Sequence, residues 1–388
     1  LFYTRHDISS THLSDTTLAL PVFIFAGNLL SRSGIASRIF KFANSAVGHI
    51  PGGLGHVNVM ASIIFAGMSG VAQADAAGLG RIELEEMERQ GYDRSFSTAI
   101  TAASAVIGPI IPPSGVMVLY AVLAGVRLDH LFLAGFVPGL MLGGFQMITI
   151  YLLVKMGKVI APVQPVQGWN VRFRTFLGAA PALMVPGFLV VGLLTGIATP
   201  TELGAVTCVF ATILGFAQGD FSIAKFWQCA LETVKTTGIL AILIMVAAPF
   251  TWILGVGNAG ALLASTLETI SQNPLVVLLI INLALLLAGS IMETAVIQLI
   301  AVPILAPIAL MFGIDPIHFG IVVLLNLLLG TLTPPFGVLL FVMMSLTGLS
   351  LHQVSKAVMP FYLPMIVLLV LITLFPVLTT FIPNLVGG

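Results

Sequence analysis

Ile107-Gly108-Pro109-Ile110-Ile111-Pro112-Pro113-Ser114 is the stretch on which the reading of this chain turns. It interrupts an apolar run, Ala99–Gly125, at a depth where a helix should continue. A proline pair cannot sit inside a regular helix, because each proline lacks an N–H and its ring clashes with the preceding turn. In lipid the freed carbonyls meet no water, so such backbone persists only where protein buries it or a polar cavity faces it. The expected shape is a re-entrant hairpin: helix in, Pro-Pro turn, helix out. A second string, Thr333-Pro334-Pro335-Phe336-Gly337, interrupts Phe319–Thr347 in the same way.

Lipid is the expected solvent because of composition. Hydrophobic residues make up 58% of the 388 and charged residues 8%, with a mean hydropathy of +1.10. Soluble domains carry about 25% charged residues. From Gly238 to Gly388 the charges are Glu268, Glu293, Asp315 and Lys356 alone, too few to wet a surface of that length. The formal net charge is zero, which leaves no basic footprint for nucleic acid. Cys208 and Cys229 have neither disulfide-framework nor metal-site spacing. The chain begins at Leu1 without a signal-peptide pattern; one or two membrane helices are expected to precede it.

Ordinary spans need about 20 mainly apolar residues. Leu131–Val154, Phe176–Leu194, Gly204–Phe216, Ile239–Leu254, Val276–Leu287 and Tyr362–Phe381 approach that standard, and a first apolar stretch covers Leu18–Leu30. Val57–Gly70 and Leu283–Ile300 are apolar but broken, like the two Pro-Pro segments. Arg81–Arg94 is a polar amphipathic connection. Basic residues at Arg32, Arg38, Lys41, Lys155, Lys158, Arg172 and Arg174 favour the cytoplasmic side. Phe221–Lys235 alternates at helical spacing, which suits either an interfacial or an ordinary connecting helix.

The interruptions repeat. A Gly/Ser break followed by an acid (Ser69-Gly70 to Asp75; Gly289-Ser290 to Glu293) precedes each Pro-Pro turn by roughly 45 residues. Paired interruptions in two halves point to the binding site of a secondary transporter. This gives an all-α polytopic membrane protein. Repeat 1 covers about 16–195 with a hairpin at about 96–125; repeat 2 covers about 237–388 with a hairpin at about 317–347; scaffold and connecting helices fill about 131–235. Broken helices offer carbonyls at one half-helix end and N–H groups at the other. Carbonyls and hydroxyls suit sodium, for which the candidates are Ser69, Gly70, Gly108, Pro112, Gly289, Ser290, Thr333 and Pro335. N–H groups suit a substrate carboxylate; Ser69, Asp75, Ser114, Glu293 and Thr333 are the substrate candidates. Pro112, Pro113, Ser114, Pro334, Pro335 and Gly337 form the expected hairpin tips.

Other polar residues read as structure. Glu202 follows Thr199-Pro200-Thr201, and Asp315 precedes Pro316; both look like helix-start caps. His56, His130, His318 and His352 lack metal-ligand spacing, and only His318 lies near a Pro-Pro segment.

The chain resembles the large membrane subunit of TRAP transporters, the tripartite ATP-independent periplasmic systems. The likeness runs through Leu20–Gly27, Gly52–Val59, Gly67–Gly70 with Ala74–Ala77, Ile107–Ser114, Ala198–Glu202 and Leu332–Gly337. Where the family usually reads Ser-Gly-Ser, Val71 replaces the second serine, and Glu293 stands where Asp is common. The resemblance implies the ion-transporter superfamily fold with an elevator mechanism and two inverted repeats. It also implies sodium-coupled uptake of a small organic acid (a dicarboxylate, sialic acid or a related carboxylate), with no cofactor beyond the coupling sodium. The implied partners are a small four-helix membrane subunit and a periplasmic solute-binding protein, and the implied location is a bacterial or archaeal inner membrane. A stand-alone sodium- or proton-coupled anion carrier of the same fold is an alternative, and a passive channel another. An intramembrane enzyme would need a nucleophile and base, or a metal cluster, at membrane depth; no His lies close in sequence to Ser69, Ser114 or Ser290.

Overall fold

The structure is a computed structural model that describes residues 6–162, 164–219 and 221–387, with the side chains of 6–16, 67–69, 250, 251 and 387 outside the description. All of its elements among these residues are helices. α1 (His6–Arg32) and α2 (Ile35–Val47) meet at a 69° bend. Then come α3 (Gly53–Ser69), α4 (Ala72–Ala77), α5 (Leu79–Arg89), α6 (Arg94–Ala105), α7 (Gly115–Ala124) and α8 (Leu128–Lys155). The middle of the chain forms α9 (Trp169–Thr195), α10 (Pro200–Ala217), α11 (Ile223–Val256) and α12 (Ala259–Ile270). The second half holds α13 (Pro274–Gly289), α14 (Thr294–Met311), α15 (Pro316–Thr331), α16 (Val338–Thr347), α17 (Leu351–Leu374) and α18 (Val377–Gly387).

Among the described residues six helices are long and apolar enough to cross a membrane, or eight if the bent pairs α1–α2 and α12–α13 each count as one. The expected spans within 131–254 lie inside α8 to α11. Phe221–Lys235 is no separate element: from Ile223 it is the first part of the 34-residue α11. Tyr362–Phe381 is divided, because Pro376 forces Phe375 out of helical geometry (φ −124°, ψ 80°) and ends α17.

The main correction concerns the Pro-Pro segments. Read as hairpins over 96–125 and 317–347, they should have arms folded against each other. Instead α6 packs on α17, α5 and α3, while α7 packs on α14 and α1. The whole α6–α7 stretch runs antiparallel along α8. Near the start of α6, Phe96 and Ile150 both pack beside Gly55. Further along, Gln146 Nε2 donates to the Ala103 carbonyl at 2.8 Å, and Gly135 and Gly139 are tight against Ile110 and Ile111. Twelve plus ten helical residues (α6, α7) rise about 33 Å, the thickness of a hydrocarbon core. α6–α7 is therefore a broken span, and Pro112, Pro113 and Ser114 sit at its break.

The fold-back belongs to the Gly/Ser breaks. α3 runs parallel to α6: Gly55 lies by Phe96, Asn58 Nδ2 donates to Thr101 Oγ1 at 2.8 Å, and Gly70 abuts Ser114. After Gly70 the chain returns through α4 and α5 to its starting level, where Tyr92 Oη accepts from the Leu54 N–H at 3.1 Å. The second half repeats this. α13 runs parallel to α15 through Asn282–Asn326 and Gly289–Gly330, so α14 must lead back outward. Val276–Leu287, expected as a span, is thus an arm of this fold-back. α15 and α16 form the second broken span, with Pro334, Pro335 and Gly337 at its break.

The two broken spans lie antiparallel. At one end of the molecule Tyr120 Oη donates to the Pro316 carbonyl at 2.8 Å; at the other, Arg94 and Ser97 share a cleft with Leu346 and Thr347. Packing is exchanged between halves, with α7 on α14 and α16 on α4, α17 on α6 and α8 on α15. α8, expected within the 131–235 scaffold, thus packs among the site-bearing helices. α9, α10 and α11 pack with α1 and α2. There Arg32 pairs with Glu232 at 2.5 Å, and Asn28 Nδ2 donates to Thr233 Oγ1 at 3.0 Å.

Candidate functional site

In each half a fold-back tip touches the break of a span. In the first half Gly70 ends α3 in the left-handed region (φ 61°). A Cβ there would stand 2.6 Å from the Pro113 carbonyl oxygen and 2.8 Å from the Ser114 Cα, so only glycine allows both the turn and the contact. Pro112 and Pro113 cannot donate to the carbonyls of Gly108 and Pro109, which lose their helical partners. Asp75, 2% exposed, lies directly over Gly108: any Cβ on Gly108 would collide with Asp75 Oδ2. Ser114 is fully buried and caps α7, its Oγ accepting from the Met117 N–H at 3.4 Å. A carboxylate, freed carbonyls and the N-terminus of a ten-residue helix thus converge, a set that serves both a small hard cation and an anion.

In the second half the Phe336 N–H donates to the Ser290 carbonyl at 3.1 Å, closing the tip onto the break. Gly330 and Gly289 meet backbone to backbone. Ser290 Oγ donates to the Leu287 carbonyl and Thr333 Oγ1 to the Leu329 carbonyl, each at 2.8 Å. Tyr362 Oη donates to the Leu332 carbonyl. Glu293 caps its own helix, Oε2 accepting from the Ala295 N–H at 2.8 Å and the Val296 N–H at 3.4 Å. The two acids, paired in the sequence reading, therefore have different surroundings: Asp75 is over a break, Glu293 at a helix start.

The halves adjoin. Leu119 of α7 packs with Ala295 and Leu299 of α14, which sets the starts of these helices side by side. They differ in access: Pro112, Pro113 and Ser114 are buried, whereas Pro334, Pro335 and Phe336 are exposed. The Ser69 side chain lies outside the described residues. Among the described residues no three His, Cys, Asp or Glu side chains could jointly hold a metal; any cation here would rest on carbonyls and single carboxylates.

Sequence reasoning missed the residues that bind tip to span. Asn58 accepts from Ser104 Oγ at 2.5 Å and donates to Thr101. Asn326 donates to Asn282 Oδ1 at 2.8 Å, and Asn282 donates to Thr373 Oγ1 at 2.9 Å. Ser104 and Asn326 each stand eight residues before the first proline of their pair. Lone polar residues inside apolar runs were the available signal. His318 lies elsewhere, its Nδ1 at 2.8 Å from Thr379 Oγ1. Thr199 and Glu202 form a full capping box, Asp315 caps α15, and both cysteines are free.

Comparison with known proteins bears on this arrangement. Residues 4–378 match the family described as "Tripartite ATP-independent periplasmic transporter, DctM component". The sialic acid TRAP transporter large permease protein of Vibrio cholerae is 40% identical over 374 residues, 96% of this chain and 87% of that one. The C4-dicarboxylate TRAP transporter large permease protein of Pseudomonas aeruginosa is 36% identical over 377 residues, 96% of this chain and 87% of that one. Among solved structures, the YdaH transporter of Alcanivorax borkumensis superposes with a TM-score of 0.71 at 13% identity, covering 95% of this chain and 87% of its own. That likeness concerns the fold alone.

Proposed function

The chain belongs to the DctM component family of tripartite ATP-independent periplasmic transporters, and on that premise we propose that it carries out sodium-coupled uptake of a small organic acid. As a multi-pass membrane protein of a transporter family it is no enzyme. The observation that carries the proposal is the doubled contact of tip and break, Gly70 on Pro113–Ser114 and Ser290 on Phe336.

In this reading sodium binds carbonyls near Gly70, Gly108 and Pro112 and near Gly289, Ser290, Thr333 and Pro335, with Ser69 as a further ligand. This orders both tips. The solute carboxylate then binds between them, using the N–H groups that open α7 and α16 and the hydroxyls of Ser114 and Thr333. Asp75 balances the cation charge. The two halves act as inverted repeats of an elevator: the fold-backs and broken spans move together with α8 and α17, against a scaffold of α1, α2 and α9 to α11. Sialic acid and C4-dicarboxylates, named for the relatives, are the solutes to try first. A small four-helix membrane subunit and a periplasmic binding protein complete the system in the inner membrane.

Reconstitution into proteoliposomes tests this. Uptake should require the small subunit, the loaded binding protein and an inward sodium gradient together. Full uptake by this chain alone would replace the reading with a stand-alone carrier, and uptake indifferent to sodium would remove the coupling ion.

A further inference from the structure

Gln298 has no place in the site just described, and its burial there is otherwise unexplained. It stands in the second turn of α14 and is fully buried. Neither its Nε2 nor its Oε1 has a hydrogen-bond partner among the described residues. Other fully buried amides are better served. Gln146 donates to the Ala103 carbonyl and Asn326 to Asn282, and each leaves only its oxygen unpaired. Burying an amide without partners costs stability, and an apolar side chain of the same shape would avoid that cost. Such a group in an apolar helix calls for a partner that the neighbouring helices do not supply.

Its position says what that partner is. Side chains of a helix lean toward the helix start, so the Gln298 amide lies over Ala295 and Thr294, three and four residues earlier. Thr294 is itself buried, and Ala295 packs with Leu119 of α7. The amide is thus at the seam where α7 and α14 begin side by side. The two helix starts differ. That of α7 is capped by the neutral Ser114 hydroxyl, which leaves further N–H groups for an anion. That of α14 already holds a carboxylate, since Glu293 Oε2 accepts from the Ala295 and Val296 N–H groups. A second carboxylate beside Glu293 would be repelled. What Gln298 offers is neutral, an NH2 donor and a carbonyl acceptor. A solute carboxylate would use only the donor. A hydroxyl, which both donates and accepts, uses both.

We propose that Gln298 is a solute-binding residue that reads a hydroxyl group. The acid carried by this protein is then a hydroxylated one, with its carboxylate at the start of α7 and its hydroxyl on the Gln298 amide. This rests on the organic-acid reading above and narrows it. The breaks recognise charge, whereas Gln298 recognises a neutral polar group on the same solute. A site whose buried polar groups would be left unpaired rejects the analogue that lacks their partner. Malate, which differs from succinate by one hydroxyl, should therefore bind more tightly than succinate.

Thermal unfolding of the purified protein with its small subunit, at saturating sodium, tests this. Gln298→Met keeps the length of the side chain and removes its polar atoms. Without solute it should melt at or above the wild-type temperature, since no bond is lost. A clear fall would show the amide bonded within the protein and overturn the proposal. The probes are malate, succinate and sialic acid. Malate should stabilise the wild type at about tenfold lower concentration than succinate. Gln298→Met should bind succinate as the wild type does and lose the preference for malate. Any stabilisation by sialic acid, which is polyhydroxylated, should need about tenfold more solute in Gln298→Met. Equal binding of malate and succinate by the wild type, or an unchanged response of Gln298→Met to the hydroxylated acids, overturns the proposal. Should Gln298→Met fail to fold, Gln298→Leu takes the same measurements, and failure of both would make the amide structural and overturn it too. No stabilisation of the wild type by any of the three acids would count against the organic-acid reading itself. A fault in the proposal alone leaves acid binding intact and removes only the preference for a hydroxyl.

Discussion

Gly330 of the second broken span rests directly on Gly289 at the end of α13: a Cβ on Gly330 would lie 2.5 Å from the Gly289 carbonyl carbon and 2.6 Å from its Cα. Both partners are backbone, so no rotamer change relieves the clash. Gly330→Ala should destabilise the protein by about 1–3 kcal/mol through overpacking and abolish uptake. Gly144→Ala on α8, which meets open space, should do neither. Thermal unfolding in detergent alongside an uptake assay compares the two; equal behaviour would remove the close contact from the explanation.

The asparagines fix each fold-back to its span. Interhelical hydrogen bonds in membranes contribute about 0.6–2 kcal/mol each. Asn282→Leu should lose the bonds to both Asn326 and Thr373, lower the melting temperature, and slow uptake with little change in solute affinity. A double-mutant cycle between positions 282 and 326 should show coupling, because the residues share a bond; strict additivity would show that the bond contributes nothing.

Gly108→Ala pushes a methyl into Asp75 Oδ2. If Asp75 balances the coupling cation, half-saturating sodium should rise by about tenfold, a loss of about 1.4 kcal/mol. Solute binding measured at saturating sodium should change far less. A variant with unaltered sodium dependence would separate Asp75 from the ion.

The two breaks differ in access, and cysteine labelling reads this out. With Cys208 and Cys229 replaced by Ala, Phe336→Cys should react readily with a water-soluble maleimide, since Phe336 is 56% exposed. Ser114→Cys, fully buried, should react slowly. Equal rates at both positions would contradict the asymmetry.

Much of this was legible in the sequence, and the losses have a common cause. Composition assigned the membrane, and the caps at Thr199–Glu202 and Asp315 were visible because their chemistry is local. The positions of all four interruptions were visible as well. Which of them turns back and which passes through was not, since either is compatible with a Pro-Pro pair or a Gly/Ser pair. That choice is made by distant contacts, the Leu54–Tyr92 bond and the register of α8 along α6. The same limit affected the acids. Glu293 and Asp75 look alike on paper, but one precedes a helix whose first N–H groups it can cap, and the other is buried against a glycine in the break between α6 and α7.

α11 has a further consequence. Its 34 residues rise about 51 Å, well beyond a hydrocarbon core of about 30 Å. Its first turns carry Lys225, Glu232 and Lys235 and are held to α1 by the Arg32–Glu232 pair, so that end belongs at the headgroup level. The first break, by contrast, is sealed among other helices. A change in bilayer thickness would therefore be met first by α11, through tilt and hydrophobic mismatch, and would reach the site through α1 and α14, on both of which α11 packs. Lipid chain length thus becomes a control exerted on the site through its neighbouring helices.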